Sequence, residues 1–197
     1  MGEGAGSEQF GLMVCHGKIA EFISWAEAGL RTIAQTPYHE VLGKSFGQSI
    51  APSSEYLVET FRKAAEEIDV KALYFEMNGF EINPDYWHFS GFAYEEAGDI
   101  WEPDWLAEWQ YENDDHVDLL GMQRVQDAFK KCYRPKKDEV IPLQLEMASS
   151  IASHLVCAHF IDAIFKAHQV AKAQEPKLKG VPVIATAHDW DRMAKSL

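Results

Sequence analysis

Basic residues are almost missing from the middle of this 197-residue chain: from Val70 to Asp118 there is one, Lys71, against thirteen carboxylates. Residues 1–69 hold ten acids and five bases and residues 119–197 hold eight acids and twelve bases, so the net charge of −13 belongs to the middle. Binding to nucleic acid is driven by cations that release counterions from phosphates, and this charge balance excludes it as the expected partner. Cysteine is scarce as well. Cys15, Cys132 and Cys157 are odd in number, far apart and never in a Cys-x-x-Cys pair, which argues against a disulfide framework and a cysteine zinc site, and fits the cytoplasm. Long apolar runs are lacking too: the longest stretch without Asp, Glu, Lys or Arg, Met147 to Ile161, is 15 residues and includes His154, His159 and serines. A membrane span needs about 20 apolar residues, so none is expected.

Motifs that would specify a reaction are also missing. Gly43-Lys44-Ser45 has the last residues of a phosphate-binding loop, but Tyr38 stands where that loop requires glycine. No GxGxxG follows a strand, no GxSxG surrounds a serine and no HExxH occurs. No cofactor and no metal site are expected. His154 with Cys157, or His159 with Asp162, would each supply half a site; five residues turn His159 about 140° from His154 around a helix, so the two histidines do not share a face. A hydrogen-bonded histidine on a core stripe is the simpler account of His154.

Apolar residues at 47% are sufficient for an ordinary core in one domain. Residues 1–15 lack the positive end and apolar run of a secretory signal and read as a flexible leader, leaving 16–197 as a single domain. Ile19, Phe22, Ile23, Ala26, Leu30 and Ile33 recur at spacings of three and four and predict a helix ended by Thr36-Pro37. Ser53 or Ser54 caps a second helix running to about Glu67. A helix from Leu119 to about Lys131, capped by Asp118, and a long helix from Leu143 to about Ala173 follow, with a basic, proline-broken loop at Lys130–Lys137 between them. Val181–Thr186 reads as a short edge strand opened by Pro182.

The hairpin signal is Leu73-Tyr74-Phe75-Glu76-Met77 with Tyr86-Trp87-His88-Phe89-Ser90. A turn at Asn83-Pro84-Asp85-Tyr86 sets Phe75 opposite Tyr94, Met77 opposite Phe92 and Glu81 opposite His88. Trp101, Trp105 and Trp109 fit a helix started by Pro103, while Trp105, Ala107, Trp109 and Tyr111 alternate as a strand would; the aromatic content favours the strand. The element order indicates an α+β fold, with an antiparallel sheet of three to four strands, helices packed mainly on one face, and one long C-terminal helix.

Two candidate sites emerge. Twelve of the 24 aromatic residues lie between Tyr74 and Tyr111; burial contributes about 1.5–3 kcal/mol per large apolar side chain, so most of them belong in the core with the acids as a solvated rim, and the residues left outside are the ones of interest. Trp101, Trp105, Trp109 and Tyr111, interleaved with Asp104, Glu108, Glu112, Asp114 and Asp115, combine interface anchors with one sign of charge. They predict a non-enzymatic binding protein of bacterial type that occupies a basic protein partner, as an immunity protein neutralises a toxin. The alternative is a small hydrolase in which Glu81, His88 and His116 share a cleft for acid-base work. A third reading has the long helix pairing with another copy of the chain; the sequence leaves the oligomeric state open.

Overall fold

The computed structural model describes residues 3–132, 141–190 and 192–197, with side chains from Ser7 onward. The described residues form five α-helices and six short strands: α1 (Glu3–Val14), α2 (Ile19–Arg31), α3 (Ile50–Glu67), β1 (Ala72–Met77), β2 (His88–Tyr94), β3 (Tyr111–Glu112), β4 (Val117–Asp118), α4 (Gln123–Cys132), α5 (Leu143–Gln174), β5 (Val183–Ala187) and β6 (Ala194–Ser196). The fold is therefore mixed α/β around one open sheet in the order β3-β2-β1-β5-β6, with β4 also paired to β2. β1 lies antiparallel to β2 and parallel to β5. The sheet thus corrects the expectation of an antiparallel one of three to four strands. A parallel neighbour needs a crossover, and the segment carrying α4 and α5 provides it.

Helix periodicity accounts for most of the rest. α2 buries Ile19, Phe22, Ala26 and Leu30, the expected stripe. α3 starts earlier than expected, with Ser49 at its cap position; Ser53 and Ser54 are buried inside it because they turn toward the core. Asp118 is in β4 rather than at a helix cap, and α4 begins at Gln123. α5 runs one residue beyond the expected span and buries Ile151, Leu155, Val156, Phe160, Ile161 and Ile164. By length and composition it is apolar enough to cross a membrane, but 72% of its most apolar window is buried inside the protein, as befits a helix packed between α2, α3 and the sheet. Ile161 and Ala158, in the middle of this helix, are wholly enclosed.

Residues 3–14, expected as part of a leader, form α1. Phe10 and Val14, one helical turn apart, are buried, and Phe10 packs edge-on against Phe22 at 5.2 Å. Two apolar residues at that spacing suffice to seat one helical face. The basic loop lies outside the described residues from Tyr133 to Lys137.

The hairpin register differs from the expected one by three residues. Tyr74 stands opposite Phe92, Phe75 opposite Gly91 and Glu76 opposite Ser90. The connection is a long loop rather than a tight turn at Asn83. Asn78 closes it, since its amide donates to the Tyr86 carbonyl at 3.1 Å and its Oδ1 accepts from the His88 amide at 3.0 Å. Within the loop Trp87 is buried and donates to the Phe80 carbonyl at 3.2 Å. An odd slip exchanges faces, so Phe75 joins Phe89, not Phe92 or Tyr94.

The sheet accordingly has two unlike sides. Leu73, Phe75, Met77, Phe89, Ala93, Val183 and Ala185 face the helices within the main core. Gly91 permits this packing: a Cβ there would lie 2.8 Å from the Phe75 ring and 3.0 Å from Tyr56 of α3. Ala72, Tyr74, Tyr94 and Ile184 face the other way, under Phe92, Ile100, Trp105 and Leu106.

Candidate functional site

The acidic aromatic stretch is the cover of the outer sheet side. Between β2 and β3 it forms neither a continuous helix nor the favoured strand but a single 3-10 turn, Pro103–Ala107, and pairing begins only at Tyr111. Proline at the start of the turn and the carboxylates along it explain why the alternation does not become a strand. The loop is pinned at three points. Trp105 packs edge-on against Tyr94 at 4.7 Å and its indole donates to the Asp99 carbonyl at 2.9 Å. The Tyr94 hydroxyl donates to the Leu106 carbonyl at 2.9 Å, and Gln110 Oε1 accepts from the Glu95 amide at 2.9 Å. Gly98 makes room, because a Cβ there would sit 2.3 Å from the Trp105 ring.

Pinned in this way, the loop leaves Trp101 and Trp109 49% and 45% exposed. Asp104, Glu108, Glu112, Asp114 and Asp115 are exposed, and Trp105 and Tyr111 are half-buried. Among the described residues no cation lies within ion-pairing distance of Glu95, Glu96, Glu102, Asp104, Glu108, Glu112 or Asp114; Asp115 reaches Lys63 of α3 at 3.6 Å. Asp114 and Asp115 stand apart from the tryptophans, at the α3 edge, where the Tyr56 hydroxyl donates to the Asp115 carbonyl at 2.6 Å.

The three residues of the hydrolase reading are divided. His88 and His116 meet, with ring centroids 4.9 Å apart. Tyr86 stacks on His88 at 4.9 Å, and its hydroxyl contacts His116 Nε2 at 2.9 Å and donates to Asp118. Burial, then the neighbouring His116, lowers the His88 pKa, and His88 Nδ1 is buried without a hydrogen-bond partner among the described residues. Glu81 is elsewhere, because the register shift removes it from the strand and from its place opposite His88.

Glu81 lines a cleft of about 630 Å³ that periodicity gave no means of seeing. The cleft opens beyond the carboxyl ends of the parallel pair β1 and β5, where open α/β sheets characteristically form crevices. Glu81 follows β1; Asp189, Trp190 and Arg192 follow β5, past a reversal at Asp189 with φ 62°. The opposite wall is the first half of α5, with Ser149, Ser150, Ser153 and His154, and α1 contributes Ser7 and Phe10. Tyr38 enters from a 3-10 helix, Pro37–Val41, fixed to α2 by His39: its Nδ1 accepts from the Thr36 amide at 3.1 Å and its Nε2 donates to the Leu30 carbonyl at 3.0 Å.

His154 shows how the cleft sets its chemistry. Its ring lies between Phe10, at 5.6 Å, and Trp190, at 5.0 Å. Burial pushes its pKa down, against the Ser150 carbonyl and Glu81, so the imidazole is neutral at pH 7. Nδ1 faces the Ser150 carbonyl at 2.7 Å and must carry the proton, leaving Nε2 as an acceptor. Ser153 is 3% exposed and its Oγ has no hydrogen-bond partner among the described residues.

A polar chain on the outer sheet side was likewise hidden in sequence. The buried Tyr74 hydroxyl donates to Glu76 Oε2 at 2.6 Å, and Glu76 Oε1 meets His188 Nδ1 at 2.7 Å. Hydrogen bonding to Glu76 raises the His188 pKa. Alternation places Tyr74 and Glu76 on one side, but only the parallel pairing of β1 with β5 delivers His188. Among the described residues, no three His, Cys, Asp or Glu side chains converge as metal ligands.

No protein-family model matches the chain, and no curated protein or solved structure is similar to it.

Proposed function

We propose that the protein is a non-enzymatic, cytoplasmic binding protein whose acidic aromatic loop occupies a basic protein partner, in the manner of an immunity protein that neutralises a toxin. The observation that carries this reading is the pinned loop: Trp101 and Trp109 are held half-exposed, amid carboxylates of which, among the described residues, only Asp115 has a cation within ion-pairing distance. Exposed aromatics on an anchored backbone supply contact area with little ordering penalty, and the uncompensated charge steers a basic partner into place. A toxin that binds nucleic acid is a fitting target, since the carboxylates would stand where its substrate presents phosphates.

The test is capture of partners from the native host at low and high salt, with the wild-type chain and with Trp109→Ala combined with Glu108→Gln. The expected outcome is one basic protein, reduced at high salt, weakened by about tenfold or more in the double variant, and inhibited in its own activity by the wild-type chain. Capture indifferent to salt and to both substitutions overturns the proposal. The contact of His88 with His116 favours a second reading, a hydrolase, without Glu81. Hydrolysis lost in His116→Ala, with capture unchanged, would establish it instead.

A further inference from the structure

The cleft beyond β1 and β5 lies apart from the acidic loop and has a chemistry of its own. Its charged lining among the described residues is three carboxylates, Glu81, Glu146 and Asp189, and one guanidinium, Arg192. Glu81 makes no ion pair or side-chain hydrogen bond with the described residues, and it lines the same cleft as Tyr38 and His154. The same cleft is lined by two further groups that can accept, each with a reason to want a donor. Ser153 Oγ is enclosed and, among the described residues, unbonded, a state that leaves a hydroxyl short of about 1–3 kcal/mol until something fills it. His154 Nε2 bears a lone pair because Nδ1 is committed to the Ser150 carbonyl. Phe10, Trp190 and Tyr38 supply aromatic surface around these groups, which attracts a cation and covers an apolar body.

We propose that this cleft binds a small primary amine with an apolar, preferably aromatic, tail, its ammonium group set among the Glu81 carboxylate, Ser153 Oγ and His154 Nε2. An ammonium has three donors and no acceptor, which matches the acceptor-only Glu81 carboxylate and His154 Nε2 together with a Ser153 hydroxyl that can accept while donating its own proton to a neighbouring acceptor. The volume suits a ligand of small-molecule size. Arg192 sits in the same lining, so an amine that also carries a carboxylate, as a free amino acid does, is accommodated by the same ammonium recognition.

Three probes of one shape separate these cases: phenethylamine, phenylalanine and 3-phenylpropionate, each titrated into the full chain by calorimetry while the His154 ring resonances are followed by NMR. Binding of phenethylamine with movement of the His154 signals is the expected result, and tighter binding of phenylalanine would identify the zwitterion as the preferred form. Glu81→Gln, which keeps the side chain's shape, should weaken the amine by about tenfold or more, and Ser153→Ala by less. Trp109→Ala should leave it unchanged. Equal or tighter binding of 3-phenylpropionate, or failure of both amines to bind at roughly 10 mM, overturns the proposal, and neither result depends on a variant folding.

Discussion

The two sides of the sheet are made by the same strands and differ in what covers them. On the helix side, Leu73, Phe75 and Phe89 are sealed beneath α3 and α5. On the outer side, Tyr74, Tyr94 and Ile184 are covered by a single loop, held by Trp105 and a few hydrogen bonds. The small outer cluster and the large inner core teach a division of labour. Stability rests mainly on the side with more apolar area removed from water, and the thinner cover is left with exposed tryptophans, exposed acids and the Tyr74–Glu76–His188 chain.

The largest effect is expected from Phe75→Ala. It should destabilise the protein by about 4 kcal/mol in chemical denaturation, because the helices cannot collapse into the space. A loss below about 1 kcal/mol would show that the inner side does not dominate.

Two histidines sharpen the contrast by titrating in opposite directions. His168 is fully buried on the helix side and is pushed down to about 4, from an ordinary 6.5, chiefly by burial, with Lys172 adding to the shift. Its unfolded form binds the proton more readily, so stability should fall by about 3 kcal/mol as pH drops from 6.5 through 4. His188, half-exposed on the outer side, is raised by Glu76. Its contribution is fully present below pH 6.5 and is lost as pH rises through its folded pKa, and solvent screening keeps it the smaller of the two. NMR titration should resolve the pair, with Glu76→Gln returning His188 toward its ordinary value. Equal pKa values for the two would remove the distinction between the sides.

The smallest effect on stability, and the sharpest on placement, is expected from Gly98→Ala. A methyl group at 2.3 Å from Trp105 must lift that ring from Tyr94. The expected loss is about 1 kcal/mol, with faster amide exchange confined to residues 98–110 and the helix side unaltered. Global loss of protection would mean that the loop is part of the main folding unit.

How far the sequence reveals this molecule follows from the range of each interaction. α2, α3 and α5 were legible because their apolar stripes are local and periodic. β1 and β2 were legible as strands, but their register depended on Asn78 closing a long loop, which turn chemistry at Pro84 does not disclose. β3, β4 and β6 are too short to have a period at all. Of the residues assigned to the acidic site, Trp101 and Trp109 are exposed while Trp105 packs on Tyr94, a difference that alternating charge and aromatic content did not disclose. Their loop conformation was not legible, since helical and strand spacing fit it equally. The cleft was invisible for a different reason: Glu81, His154 and Trp190 come from three distant segments, and their meeting is a property of topology.

That topology also sets an order of assembly in time. β1 is the hinge between the two halves of the sheet, with β2 its near neighbour in the chain and β5 its distant one, Leu73 pairing with Val183. As a ribosome makes this chain, one edge of β1 can pair early while the other stays open until α5 has emerged and docked, since distant contacts carry the larger closure entropy. The cleft is thus a late product of biosynthesis: a nascent chain can hold Glu81, His154 and a complete hairpin and still have no cleft, because Trp190 and Arg192 arrive only with the closing strand.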